Sequence, residues 1–135
     1  MDMLALEAKG ICLFCPEHLA GDESHVIYHM TEWWTVTNNR FPYDGARLHL
    51  LLIPSVHVRD LVDLPTAAQA DFWGVLGWCR DRWGFNFYGL GARCGDFRFT
   101  GATLEHLHLH LMVGDVSNPD HEPVRMKFSS PQATL

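Results

Sequence analysis

Hydrophobic and polar positions along the chain change period several times, and each change predicts an element. His25 to Met30 (HVIYHM) and Trp33 to Thr37 (WWTVT) are rich in β-branched and aromatic residues and read as two strands joined by a tight turn. NNRFPYDG breaks the pattern with Pro42 and Gly45. A third strand, Arg47 to Ile53 (RLHLLLI), is stopped by Pro54, which has no amide hydrogen for a ladder. The longest helix signal runs from Thr66, where Thr66-Ala-Ala-Gln69 fits a capping box, to about Trp83, with Gly84 as its stop. Phe72, Leu76, Cys79 and Trp83 recur at helical spacing along it and predict core contact. Phe85 to Ala92 reads as a fourth strand, and Leu104 to Val113 (LEHLHLHLMV), which alternates strictly, as a fifth. From Gly114 onward Pro119, Pro123 and Pro131 predict an extended tail. Several strands around one principal helix imply an α+β fold: about five strands in a mainly antiparallel sheet, one long helix and short helical segments.

Size and charge narrow this picture. A chain of 135 residues without repeat, low-complexity tract or Gly/Ser linker is expected to form a single domain over residues 1–135, and 47% hydrophobic content suffices for one core. No apolar run is long enough to cross a bilayer, and the opening MDMLALEAKG lacks the segments of a signal peptide. The expectation is a soluble cytoplasmic protein with no membrane partner. The formal charge of −6 repels phosphates and argues against nucleic acid as a partner, so any phosphate ligand must be held locally. Without a secretory signal, Cys12 and Cys15 read as half a metal site rather than a disulfide, and Cys79 and Cys94 as buried thiols.

Nine histidines direct attention to acid-base, metal or nucleophilic chemistry. Side chains alternate across a strand, so His106, His108 and His110 share one face while Leu107, Leu109 and Leu111 share the other. Three imidazoles in a row can meet one extended polar ligand such as a phosphate chain. The residues alone also admit a histidine-rich exposed face, or a His-x-His metallohydrolase with ligands converging from elsewhere.

The row His106-Leu-His108-Leu-His110-Leu-Met112 resembles the signature of the histidine-triad (HIT) family, three histidines alternating with apolar residues. Two further stretches are similar to the family's: His49-Leu-Leu-Leu-Ile-Pro54-Ser-Val-His57 and Asn39-Arg-Phe-Pro42. The resemblance spans residue 12 to about residue 114 and implies a HIT-like fold. His110, where a transferase branch has glutamine, makes the chain look more like the hydrolase branches. What the resemblance implies is a hydrolase or transferase acting on phosphoramidate or phosphoanhydride bonds at a nucleotide α-phosphate. His108 would be the nucleophile, forming a nucleotidyl-histidine and releasing a nucleoside monophosphate. His110 would contact phosphate oxygens, His49 would support the catalytic histidine, Asn39 would meet ribose, and Thr103 and Gly101 would approach phosphate.

Some members carry an N-terminal Cys-x-x-Cys, and carrying their ligand set across gives Cys12, Cys15, His57 and His106, a closed structural zinc site. No catalytic cofactor is then required. The ligand implied is a purine nucleotide or nucleotide conjugate, and the assembly a homodimer in which the Trp33-Trp34 and Trp73 to Trp83 segments supply interface or core. Two departures bear on substrate choice: Leu48 stands where the family has glycine, and Gly101-Ala102-Thr103 replaces a Gly-Gln-Ser/Thr stretch. A non-catalytic nucleotide-sensing or partner-binding module is the alternative.

Overall fold

The computed structural model describes residues 12, 14–19, 21 and 25–131; the opening segment read above for a leader lies outside them. In chain order the elements are α1 (Pro16–Leu19), β1 (Ile27–Met30), β2 (Trp34–Asn38), β3 (Ala46–Pro54), a 3-10 turn (Leu61–Asp63), α2 (Thr66–Trp83), β4 (Gly89–Ala92), α3 (Phe97–Thr100) and β5 (Leu109–Gly114). The five strands form one sheet in the order β1-β2-β3-β5-β4, with every neighbouring pair antiparallel. The α+β architecture expected from the sequence is the one observed.

The central strand β3 is buried on both faces over its second half, and period-2 alternation divides its side chains between two clusters. Leu50 and Leu52 join Trp34, Val36, Leu107, Leu109, Leu111 and Val113 beneath α2, which contributes Ala68, Val75 and Cys79. Leu51 and Ile53 face the other way, with Phe14, Leu19 and Leu104. The indole N–H of Trp34 donates to the Ala68 carbonyl at 2.8 Å, tying β2 to α2. Leu52 is fully buried in the larger cluster. Leu52→Ala is expected to cost about 2–5 kcal/mol, read as a lower urea midpoint at unchanged slope.

Several element boundaries differ from the sequence reading, each for a local reason. Thr66 is not the helix cap. Pro65, with φ −55°, occupies that position without a side-chain bond, and the Gln69 amide turns back to donate to the Leu64 carbonyl at 2.8 Å. The core-facing line of α2 is Ala68, Val75 and Cys79, with Phe72, Leu76 and Trp83 packing half-buried on its flanks. The most deeply buried positions of the helix thus carry its smaller side chains, a placement apolar periodicity in large residues does not show. Gly84 does end the helix, at φ 64°, its N–H donating to the Arg80 carbonyl. Phe85 then drops into the core, which delays β4 to Gly89. Cys94 is only half-buried, whereas Cys79 is buried as expected and its thiol is pushed up to about 12 by burial.

The fifth strand is also shorter than its alternating sequence suggests. Leu52 pairs with Leu109, and beyond that point Pro54 has no amide hydrogen to continue the ladder. The Leu107 N–H donates instead to the Val58 carbonyl at 2.7 Å. His106 and His108 therefore precede β5, and of the row only His110 lies within it. Alternation persists nonetheless, with Leu107, Leu109 and Leu111 beneath α2 and the histidines on the opposite face. Past Gly114, residues 115–131 contain no helix or strand.

Candidate functional site

On the histidine face of the sheet Phe14 and Leu19 pack against Leu51, Ile53 and Leu104, while residues 39–44 and the stretch from Glu122 to Lys127 also border the histidines. Between them opens a cleft of about 610 Å³ lined by His108, His110, Asn39, Gly101 and Thr103, all sequence-predicted site residues. His49 lies behind them, 5% exposed.

Hydrogen bonds fix the tautomers along this face. The Tyr43 backbone N–H donates to His49 Nδ1 at 3.1 Å, so neutral His49 carries its proton on Nε2. Nε2 has two nitrogen neighbours, His110 Nδ1 at 2.8 Å and the Asn39 amide nitrogen at 3.2 Å, and of these only His110 Nδ1 can accept. His110 in turn must carry its proton on Nε2. His108 Nδ1 donates to the His106 carbonyl at 2.9 Å, leaving the Nε2 lone pair free. The result is one ring presenting a lone pair and its neighbour presenting an N–H, with ring centroids 5.1 Å apart.

The electrostatic setting keeps these rings neutral. Burial pushes His49 down to about 4, helped by the charges of Arg93 and His108. His110 is lowered by burial and then by His108, His49 and Arg93; His108 is lowered by burial first and by Arg93 against a raising contribution from the His106 carbonyl. Because the folded His49 value lies below the ordinary 6.5, the unfolded chain takes up the proton first as pH falls. The stability linked to His49 is complete above pH 6.5 and is lost as pH falls toward about 4, at most about 3 kcal/mol. Urea midpoints at pH 7.5 and 5 should show this drop, and His49→Gln should reduce it; an unchanged slope in the variant would remove His49 as its source.

Beside the cleft, the Sγ atoms of Cys12 and Cys15 and one ring nitrogen each of His57 and His106 all lie within 4.8 Å of one another. Cys12 Sγ is 3.3 Å from His106 Nδ1, and Cys15 Sγ is 3.3 Å from His57 Nδ1. Ligands at about 2.3 Å for sulfur and 2.0–2.1 Å for nitrogen around a tetrahedral ion require separations of about this size. His106 Nε2–H donates to the Pro54 carbonyl at 2.7 Å, which orients the ring and leaves Nδ1 for a metal. All four sequence-predicted ligands thus converge.

Several site residues had no signal in the sequence reading. Phe14, between the two cysteines, sets its edge against His108 at 5.0 Å between centroids. Tyr43 stacks on His110 at 5.5 Å. Arg93 donates from Nη2 to the Tyr43 hydroxyl at 3.0 Å and from Nε to the Lys127 carbonyl at 2.7 Å. Phe14 could have been suspected from its place inside Cys-x-x-Cys, but Arg93 lies 17 residues before His110 in an irregular stretch. Asn39 is also more constrained than expected: its side-chain oxygen accepts from the Phe41 N–H at 2.9 Å, which turns its amide toward His49. Gly101, at φ 81°, ends α3 in the left-handed conformation the turn requires. Among the described residues no helix is long and apolar enough to cross a membrane.

A line of neutral imidazoles at a cleft, on the face of a five-stranded antiparallel sheet opposite α2 and flanked by a Cys2His2 group, defines a small α+β protein arranged to meet a polar ligand. A HIT domain profile matches residues 21–116, and the chain belongs to the HIT domain family. No curated protein matches the chain. Among solved structures, a HIT family hydrolase from Clostridium thermocellum shares 24% identity over 81% of this chain and 95% of that one, with a TM-score of 0.64. A zinc-bound histidine triad family protein from Mycobacterium smegmatis shares 22% identity over 85% and 82%, at 0.59. A histidine triad nucleotide-binding protein from Candida albicans shares 20% identity over 86% and 85%, at 0.64. At these identities the likeness is one of fold.

Proposed function

We propose that the protein is a nucleotidyl hydrolase or transferase that acts at a nucleotide α-phosphate through His108. The observation that carries this reading is the pairing of a neutral His108, its Nε2 lone pair free, with a His110 whose Nε2–H is directed outward at the same cleft. His108 Nε2 attacks the α-phosphorus while the bond to the leaving group breaks and its electron pair departs with that group. Water then attacks the nucleotidyl-histidine, giving a nucleoside monophosphate and restoring the imidazole. His110 donates to a phosphate oxygen as charge develops, and His49 positions His110 rather than touching His108. Thr103 and the backbone at Gly101 border the phosphates, and Asn39 borders the ribose. The apolar wall of Phe14, Phe41, Leu51 and Leu104 suits a flat purine base.

No catalytic cofactor enters this scheme. The Cys12, Cys15, His57 and His106 set would hold a structural zinc, in keeping with its two thiolates and two imidazoles and with the zinc-bound relative. A homodimer completes the reading. The outer edge of β4 pairs with no other strand among the described residues, and Leu90 on it is 41% exposed.

The direct test is to mix the protein with adenosine phosphoramidate and diadenosine polyphosphate substrates, quench within the first turnover, and examine the peptide containing His108 by mass spectrometry. A nucleotidyl adduct on His108 with release of monophosphate is expected. Nucleotide binding without adduct or product would instead favour the sensing module.

A further inference from the structure

The chain's last described stretch forms a strap along the cleft. It is seated at three places: Glu122 crosses Gly45, the Lys127 carbonyl accepts from Arg93 Nε at 2.7 Å, and the Ser130 hydroxyl donates to the Arg98 carbonyl at 3.0 Å. The seating at Gly45 is close. At φ 87°, a Cβ there would lie 2.2 Å from the Glu122 carbonyl oxygen, so this position admits no side chain while the strap is down. Seated in this way, the strap brings Arg125 and Lys127 to the cleft wall beside Arg93.

The local charge then opposes that of the whole. The cleft is lined by Arg40, Arg93, Arg125 and Lys127 against Asp44 and Glu122, in a chain whose formal charge is −6. Arg93 forms no ion pair among the described residues. Its Nη1 stands 3.5 Å from His110 Nε2. Since His110 carries its proton on that nitrogen, two donors lie side by side with no acceptor between them. Such an arrangement is repulsive alone and favourable around an anionic oxygen.

We propose that Arg93, with Arg125 and Lys127 of the strap, forms an anion subsite for the leaving group, selecting nucleotides whose leaving group is itself a phosphate chain over those that release an amine. The inference rests on the α-phosphate reading above. In the favoured reaction His108 Nε2 bonds to the α-phosphorus as the α–β anhydride bond breaks. The electron pair leaves on the β-phosphate oxygen, where the three cations stabilise it, and no proton need be supplied. An amine leaving group must instead gain a proton on its nitrogen before the P–N bond breaks and departs as a neutral amine; the same three cations repel the positive charge on that protonated nitrogen and find no anion on the departing group.

Two substrates that share the adenylyl group and differ in the leaving group test this directly: diadenosine tetraphosphate and the phosphoramidate of adenosine monophosphate with a primary alkylamine. The wild-type chain should favour the first in kcat/KM, and Arg93→Gln and the double variant Arg125→Gln/Lys127→Gln should each lower that preference by about 10-fold or more, the range expected for charge-assisted contacts. Preference for the phosphoramidate, or variants that reduce both substrates in equal proportion, would overturn the subsite. A binding measurement separates this failure from that of the hydrolase reading. A methylene-bridged, unreactive analogue of the tetraphosphate should bind more tightly than adenosine monophosphate, and the difference should shrink in the same variants. If neither substrate turns over but this difference persists, the subsite stands and the hydrolase reading falls. If the difference is absent in the wild-type chain, the subsite falls.

Discussion

Replacing His108 with asparagine is expected to lower single-turnover release of nucleoside monophosphate by about 10⁴-fold or more, because on the proposed mechanism it removes the lone pair that forms the covalent intermediate. Asparagine keeps an N–H that can bond the His106 carbonyl, so the local backbone is retained. The loss should fall on kcat rather than on binding, since His110, Thr103 and Arg93 remain to hold phosphate. Thermal midpoint and nucleotide affinity would be measured beside turnover. A variant that kept near-full activity, with chelator abolishing it, would transfer the chemistry to a metal and remove His108 from its role.

The second large effect concerns the Cys2His2 group. Cys12→Ser is expected to abolish stoichiometric zinc in protein purified without chelator and to lower Tm by on the order of 10 °C, since binding energy at a closed site is folding energy. The group joins the N-terminal turn to Pro54 and to the segment entering β5, so its loss frees several elements together. Phe14 sits within that turn and against His108, so turnover should fall with stability. Metal content near zero in the wild-type chain would end the zinc assignment. Retained zinc in Cys12→Ser would show that the remaining three ligands suffice.

The sequence made the chemistry more legible than the geometry around it. The residues that converge at the cleft and in the Cys2His2 group were readable because their types are chemically restrictive and their spacings short: His106, His108 and His110 alternate, and Cys12 and Cys15 have two residues between them. The sheet could be read from β-branched and aromatic runs. Less readable were the features decided by distant partners. Nothing local announces that Leu107 bonds to Val58 instead of continuing a ladder, or that Phe85 is drawn into the core. Arg93 is held at the cleft by the Lys127 carbonyl, a partner 34 residues later in the chain. The stripe of Phe72, Leu76, Cys79 and Trp83 does pack on the core, but Ala68 and Val75, which lie deeper than its large members, carry no signal in a pattern read from large apolar residues.

The three alternating histidines also differ in what could stand in for them. His106 offers a donor atom to a cluster and a bond to the Pro54 carbonyl, so cysteine could take over the first task. His110 accepts on one side and donates on the other while neutral, a pair of duties an amide side chain can also perform. On the proposed mechanism His108 needs a lone pair and a leaving-group capacity that no other side chain of its shape combines. Interchangeability along the row should therefore be uneven, with the outer two positions tolerant of particular exchanges and the middle one of none.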